Sequence, residues 1–230
     1  MLNVDISNPA LYGLDESQLV TVQGHLLTQK TADAFGQMQQ HAVLDGIAIE
    51  LCSAHRNFAK QAAIWNAKAQ GKRILLDLNN QVLDCQNLTD DQLVDTILNW
   101  SALPGASRHH WGTDIDVYDG NNINRQQLKL ISDEYLIDGP CGALSVWLQH
   151  HAQQYGFYLP YQAGRSGVSP EPWHLSYFPE SSLYLAQYDR KSLKQLLSNS
   201  NISLKSALIN RLDELVDRYV YFIADAPKRF

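Results

Sequence analysis

Residues 107–118 read Ser107-Arg108-His109-His110-Trp111-Gly112-Thr113-Asp114-Ile115-Asp116-Val117-Tyr118. From Thr113 to Tyr118 polar and apolar residues alternate, which predicts a strand. On a strand Asp114 and Asp116 point to the same face, because side chains repeat every second residue. Gly112 permits a tight turn between His109 and that strand. A second segment, Glu171-Pro172-Trp173-His174, enters another predicted strand, Trp173 to Phe178, which Pro179 ends. Both segments place metal-capable side chains at strand ends.

Working outward, Ile47 to Cys52 is a short apolar run that reads as a buried strand and runs into Ser53-Ala54-His55-Arg56. Leu19 to Leu27 is a strand or the start of a helix. Thr31 to Leu44 has helical spacing, with Ala34, Phe35, Met38 and Val43 on one side. Asn57 caps a helix through Lys68 that carries Gln61, Ile64 and Trp65. Gly71 to Leu88 reads as a loop, and Thr89 opens a helix over Asp90–Trp100 that Pro104-Gly105 breaks. Ala143 to Tyr155 is a helix whose buried face holds Leu144, Trp147, Leu148 and Ala152. Gly164 to Pro170 is a loop, and helices follow near Asp189–Ser198 and Ser203–Asp217. Tyr219 to Ile223 is a closing strand or a continuation of the last helix. Short strands mixed with helices, without strict βαβ alternation, imply an α+β fold. The expected organisation is one domain over 1–230, with a motif-bearing core at about 45–180 and a helical C-terminal segment at about 181–230.

The composition excludes several classes. Apolar residues make up 45% of the 230, enough for a core. A net charge of -6 leaves no excess of Lys and Arg to neutralise phosphates, so nucleic acid is not an expected partner. Three cysteines at wide spacings, Cys52, Cys85 and Cys141, suit neither a disulfide framework nor a thiolate zinc site. The N-terminus lacks the basic and apolar regions of a signal peptide, and no stretch approaches the length of a membrane span. The expectation from these two readings is a cytoplasmic protein with no membrane segment.

Metal-assisted hydrolysis needs three protein ligands, one open position and a carboxylate that can accept a proton from water. His109, Asp116 and His174 supply two imidazoles and one carboxylate. Asp114 stays open as an alternative ligand, because the strand period puts it on the same face. Glu171 lies three residues before His174, and a bend at Pro172 would let both reach one ion. Arg56 suits an anion clamp or oxyanion donor, and Gln61, about one helical turn further on, can add a hydrogen bond. His110 adjoins His109 and is expected to support the site from behind the ligands or to stand at its rim, while His25, His41, His150 and His151 read as surface or structural residues.

Three motifs carry a resemblance. Ser107, His109, Gly112 and Asp116 match SxHxxGxxxD; Glu171 and His174 match ExxH; Ser53 and Arg56, followed by Gln61, match SxxR with its glutamine. Together, over about Ser53 to Tyr177, they resemble the D-alanyl-D-alanine carboxypeptidases of the vancomycin-resistance type, in the lysostaphin, D,D-peptidase and hedgehog fold group. The resemblance implies a small antiparallel sheet that carries one zinc ion and is flanked by helices. It implies His109, Asp116 and His174 as ligands, and so favours Asp116 over Asp114. It makes Glu171 the general base and acid and Arg56 the group beside the scissile carbonyl. Ser107 would contact the substrate carboxylate, Trp173 would wall the pocket, and Ser53 and Gln61 would complete the substrate contacts. Two departures stand out: His55 occupies a position where Tyr is commoner, and Thr113-Asp114 replaces small or apolar residues.

The expected function is a zinc carboxypeptidase that releases D-alanine from peptidoglycan peptides. A cytoplasmic D,D-enzyme would destroy wall precursors, whereas a cytoplasmic L,D-enzyme would fit recycling of murein tetrapeptides, so the L,D bond is preferred. The alternatives are a non-catalytic zinc-bearing module that binds peptidoglycan and an endopeptidase that cuts cross-links. Glu171 argues against the first, and a pocket closed beyond the terminal carboxylate would argue against the second.

Overall fold

The computed structural model describes residues 6–77 and 81–228. Near the N-terminus β1 (Leu19–Val22) and β2 (His25–Thr28) pair as an antiparallel hairpin, which settles the first ambiguous segment as strand. The turn residues Gln23 and Gly24 both have positive φ, the geometry that a two-residue hairpin requires. α1 (Gln29–Leu44) starts at Thr28, whose side chain accepts the Thr31 N–H. Its buried face is Phe35, Met38 and Ala42, and Val43 is 64% exposed, so the predicted face is rotated by about one residue at its end.

β3 (Ile49–Ser53) leads into α2 (Phe58–Ala69), capped by Asn57 as the sequence predicts. The segment read as a loop carries a minimal pair, β4 (Leu75–Leu76) with β5 (Val82–Leu83); its residues 78–80 lie outside the described ones. α3 (Asp90–Leu98) opens with a capping box between Thr89 and Gln92. β6 (Asp114–Asp119) is the predicted strand, and α4 (Gly142–His151) buries Leu144, Trp147 and Leu148. Phe157–Tyr158 adds a short strand, β7, that has no counterpart in the predicted elements. β8 (His174–Tyr177) ends the sheet-forming part of the chain. Pro179 does not only stop this strand: it occupies the first turn of α5 (Phe178–Gln187), where a missing N–H costs nothing.

The four-stranded sheet has the order β3-β6-β8-β7 and is antiparallel throughout. Alternation sorts its two faces. Ile49, Leu51, Ile115, Val117 and Leu175 join α1 and α4 in one apolar core. Asp114, Asp116, His174 and Ser176 occupy the opposite face.

The C-terminal segment folds as α6 (Arg190–Ser198), α7 (Lys205–Asn210), α8 (Leu212–Val216) and a π turn at Asp217–Tyr221. It therefore continues helically through Tyr221 and forms no closing strand. Its residues Leu193, Leu196, Leu208, Leu215 and Val216 share a second core with Trp65 and Val94 from α2 and α3.

Candidate metal centre

Two local devices bring the motif residues together. Ser107 precedes a 3-10 turn, Arg108–Trp111, which ends at Gly112 with φ of 69°. A Cβ at Gly112 would meet the movable end of Leu19, Cδ2, at 2.7 Å, so it is the positive φ more than the space that calls for glycine. The turn delivers His109 onto the start of β6. Downstream, the His174 N–H donates to the Glu171 carbonyl at 3.1 Å, which closes a turn over Pro172-Trp173. The bend expected at Pro172 is thus formed, and it aims Glu171 and His174 at one point. β6 and β8 then pair with Asp116 opposite His174.

One ligand atom each from His109, Asp116 and His174 lies within 4.8 Å of the others. His109 Nε2 is 3.3 Å from Asp116 Oδ2, and His174 Nδ1 is 3.0 Å from Asp116 Oδ1. Zinc bonds of about 2.0–2.1 Å at tetrahedral angles separate neighbouring donors by about 3.3 Å, so these groups fit such an ion. The ligand chemistry fits as well. Burial, with Arg56 nearby, pushes the His109 imidazole down to about 4, leaving it neutral. The Asp116 carboxyl is held well below its usual range by the two histidines, which overcome its burial.

His174 uses both ring nitrogens. Its Nδ1 faces Asp116, while Nε2 meets Asp114 Oδ1 at 3.0 Å. Burial opposes its charge, but the bonds to Asp114 and Asp116 push it up to about 9. Behind it, Arg108 Nε donates to Asp114 Oδ1 at 2.7 Å, and Thr113 Oγ1 donates to Oδ2 at 2.7 Å. Arg108 also donates to Ser176 Oγ at 2.6 Å. The unusual Thr113-Asp114 pair therefore forms a buried support that fixes the ring of His174. Asp114 and Asp116 do share a face, but only Asp116 belongs to the three-residue cluster.

Glu171 Oε2 lies 3.6 Å from His174 Nδ1. Burial pushes its carboxyl up to about 7, with His174 opposing and Asp116 adding to the shift. Arg56 lines the same cavity as Ser107, His109, Glu171 and His174. Its Nη1 donates to Gln61 Oε1 at 3.3 Å, and Gln61 Nε2 donates to the Ala102 carbonyl at 2.7 Å. Both ends of the Gln61 amide are thus engaged by the protein, and the residue braces Arg56. Ser107 Oγ and Arg56 Nε are buried without a partner among the described residues. Trp173 packs beside Tyr135 with the rings tilted by 52° and lines a second cavity next to Asp116. Ser53 sits opposite Asp116 on β3 and borders neither of these two cavities.

Residues 24–180 match the VanY family, described as D-alanyl-D-alanine carboxypeptidase. The chain belongs to the VanY family. A Haemophilus influenzae protein carrying the name "Uncharacterized protein" is 35% identical over 121 residues, covering 51% of this chain and 92% of that relative. A D-alanyl-D-alanine carboxypeptidase of Enterococcus faecalis is 24% identical over 172 residues, 74% of this chain and 54% of that relative, so the chain spans about half its length. Among solved structures, VanYB in complex with D-alanine-D-alanine aligns with a TM-score of 0.52 and 18% identity, over 80% of this chain and 86% of that one. A VanY D,D-pentapeptidase variant in complex with Zn(II) gives 0.54 and 20%, over 87% and 92%. The LD-carboxypeptidase LdcB gives 0.51 and 18%, over 84% and 77%. The fold is thus the small-sheet α+β arrangement that the motifs imply, and the VanY family makes this chain a metallo-carboxypeptidase.

Three contributors to this VanY site carry no motif signal. Arg108 lies between two motif residues yet is only 2% exposed and paired with Asp114. Tyr161 packs its ring 4.7 Å from that of His174. His110, expected behind the ligands or at the rim, takes the first of these places: it is buried, its Nδ1–H donates to the Arg56 carbonyl at 2.6 Å and its Nε2 accepts the Gly105 N–H at 3.0 Å. It ties the Arg56 backbone to the ligand turn.

A pH dependence follows from His110. Burial pushes it down to about 3, against about 6.5 for a histidine in the unfolded chain. The unfolded chain therefore binds the extra proton between these values, and stability is lost as pH falls below about 6.5. At pH 5 the loss from this residue is about 2 kcal/mol. Urea unfolding of wild type and His110→Gln at pH 7 and pH 5 checks it: the pH-dependent loss should be smaller in the variant by about that amount. Equal losses would show that His110 is not held neutral.

Proposed function

We propose that this protein is a zinc carboxypeptidase that removes the C-terminal D-alanine from peptidoglycan-derived peptides. The observation that carries the reading is the buried His109–Asp116–His174 cluster with Glu171 3.6 Å from His174, open on one side to a cavity that holds Ser107 and Arg56. When bound there, zinc would polarise the scissile carbonyl and acidify a water molecule. Glu171 takes the proton of the attacking water on its carboxylate, and a group poised at about 7 is suited to that step. The water oxygen bonds to the carbonyl carbon, the C–N bond breaks, and Glu171 returns the proton to the leaving amine. Arg56 stabilises the oxyanion, held in place by Gln61 and by the backbone bond from His110. Ser107 Oγ offers a hydrogen bond to the substrate carboxylate, and Trp173 borders the incoming peptide. Ser53 reaches neither cavity, so the proposed contacts rest on the other residues.

The fold is shared by neighbours named for D,D- and for L,D-cleavage, at TM-scores of 0.51 to 0.54. Bond choice therefore rests on side chains in the cavities, and the L,D bond of a tetrapeptide is the target we propose first. Incubation of the zinc-loaded protein with purified tetrapeptide and pentapeptide muropeptides is expected to release D-alanine from the tetrapeptide. Cleavage of the pentapeptide alone would overturn the L,D choice, and cleavage of neither would overturn the proposed function.

A further inference from the structure

Two cavities meet at the metal cluster. They share Arg56, Trp100, His109 and Glu171 but differ in size and closure. The larger, about 240 Å³, is bordered by Leu76, Lys129, Leu130, Ile131 and Trp173, and is the more open of the two. The smaller, about 50 Å³, runs from Ser107 to Leu215, Val216, Tyr219 and Val220. Those four residues belong to α8 and the π turn, beyond the family-matched residues 24–180.

We infer that this C-terminal segment builds the blind wall of the subsite for the leaving residue, and that Val216 and Val220 limit that residue to the size of alanine. The inference rests on the carboxypeptidase reading above and extends it to residues outside the family motifs.

Four observations support it. Two hydrogen-bonding groups line the small cavity together with the metal cluster: Ser107 Oγ and Arg56 Nε are buried without partners among the described residues, which leaves both free to meet a carboxylate. The wall is largely apolar, with Leu215, Val216 and Val220 buried, and its one polar group, the Tyr219 hydroxyl, is buried without a partner among the described residues. The wall is fixed to the body of the protein. The Gly167 N–H donates to the Phe222 carbonyl at 3.1 Å and the Ala224 N–H to the Pro160 carbonyl at 2.9 Å. A Cβ at Gly167 would fall 2.0 Å from the Arg218 carbonyl, so loop and wall meet with no room between them. The size also agrees. A cavity of about 50 Å³ holds only a few water-sized bodies. That matches the methine, methyl and carboxylate of a terminal alanine, and leaves no space for an isobutyl side chain or a further residue.

The test uses the full-length zinc-loaded protein and two muropeptide-type tetrapeptides that differ only in ending with D-alanine or D-leucine. Wild type should favour D-alanine by at least about 100-fold in kcat/KM, the range that pocket size alone can impose. Val216→Ala and Val220→Ala should each reduce that ratio at least about 10-fold while zinc content, measured by metal analysis, stays as in wild type. The filling variant Ala102→Val, at another residue lining the same cavity, should raise KM for the D-alanine peptide more than it lowers kcat. Should one valine variant not fold, the other and the filling variant carry the test. An unchanged ratio in folded, zinc-loaded valine variants, or a wild type indifferent to the terminal residue, overturns the inference while the carboxypeptidase reading stands. A wild type that releases D-alanine from no peptide overturns both.

Discussion

Glu171→Gln is expected to lower kcat for D-alanine release by about 10³–10⁴-fold with zinc content unchanged, the upper part of the range for losing a general acid–base. In the proposed mechanism the residue serves both halves of the reaction, taking a proton from water and returning it to the amine, so its loss should affect both. Its position suits the role: Glu171 is part-buried, its Oε2 is 3.6 Å from His174 Nδ1, and burial pushes it up to about 7. It is not one of the three clustered ligands, so the amide should leave metal binding intact. Glutamine keeps the shape and the hydrogen bonding but cannot accept the proton. Release of D-alanine from a muropeptide, followed alongside metal analysis, separates the outcomes. Activity within about 10-fold of wild type would remove Glu171 from the base role. A wild type that binds zinc and turns over nothing would favour the binding-module alternative.

The second large effect is a contrast between two carboxylates on one strand face. Asp116→Asn should lose zinc on purification, and with it activity, because it removes the anionic ligand between two imidazoles. Asp114→Asn should weaken zinc by about 10–100-fold, the usual contribution of a group that orients a ligand. Stability should move the other way. Arg108 is 2% exposed and pairs with Asp114 at 2.7 Å. Losing the partner of a buried charge costs about 3–5 kcal/mol, so Asp114→Asn should show the larger drop in urea midpoint. Asp116→Asn leaves that arginine pair untouched. Zinc affinity and urea midpoint, measured on both variants, test the division. A reversed order of zinc affinities would exchange the roles of the two aspartates.

Much of this site was legible because its determinants are local. The alternation of TDIDVY sets which side chains share a sheet face, whatever else packs around them. Asn57 and Thr89 cap the helices expected of them because a side-chain oxygen satisfies N–H groups two or three residues away. Gly112 turns the chain because glycine takes its positive φ without strain. The turn at Pro172 needs only four consecutive residues.

Other features depended on contacts between distant segments. Whether Asp114 faces the metal or supports its ligand follows from Arg108 and from Ser176 on β8, and no spacing in the chain encodes that choice. The exposure of Val43 and burial of Ala42 follow from where α1 meets the sheet. Pro179 ends a strand and begins a helix, two readings that the residue itself permits equally. The residues from 212 to 220 have no motif, and helical spacing shows only that one face is apolar. Their place beside Arg56 and Ser107 is decided by a core shared with residues more than a hundred positions earlier. The sequence by itself determined the strand that carries the proposed ligands, its turns and the place of the proposed base. The tertiary structure decided which aspartate clusters with the two histidines, which one backs His174, and which residues line the cavity beside them, because those outcomes are set by packing between segments that local periodicity does not relate.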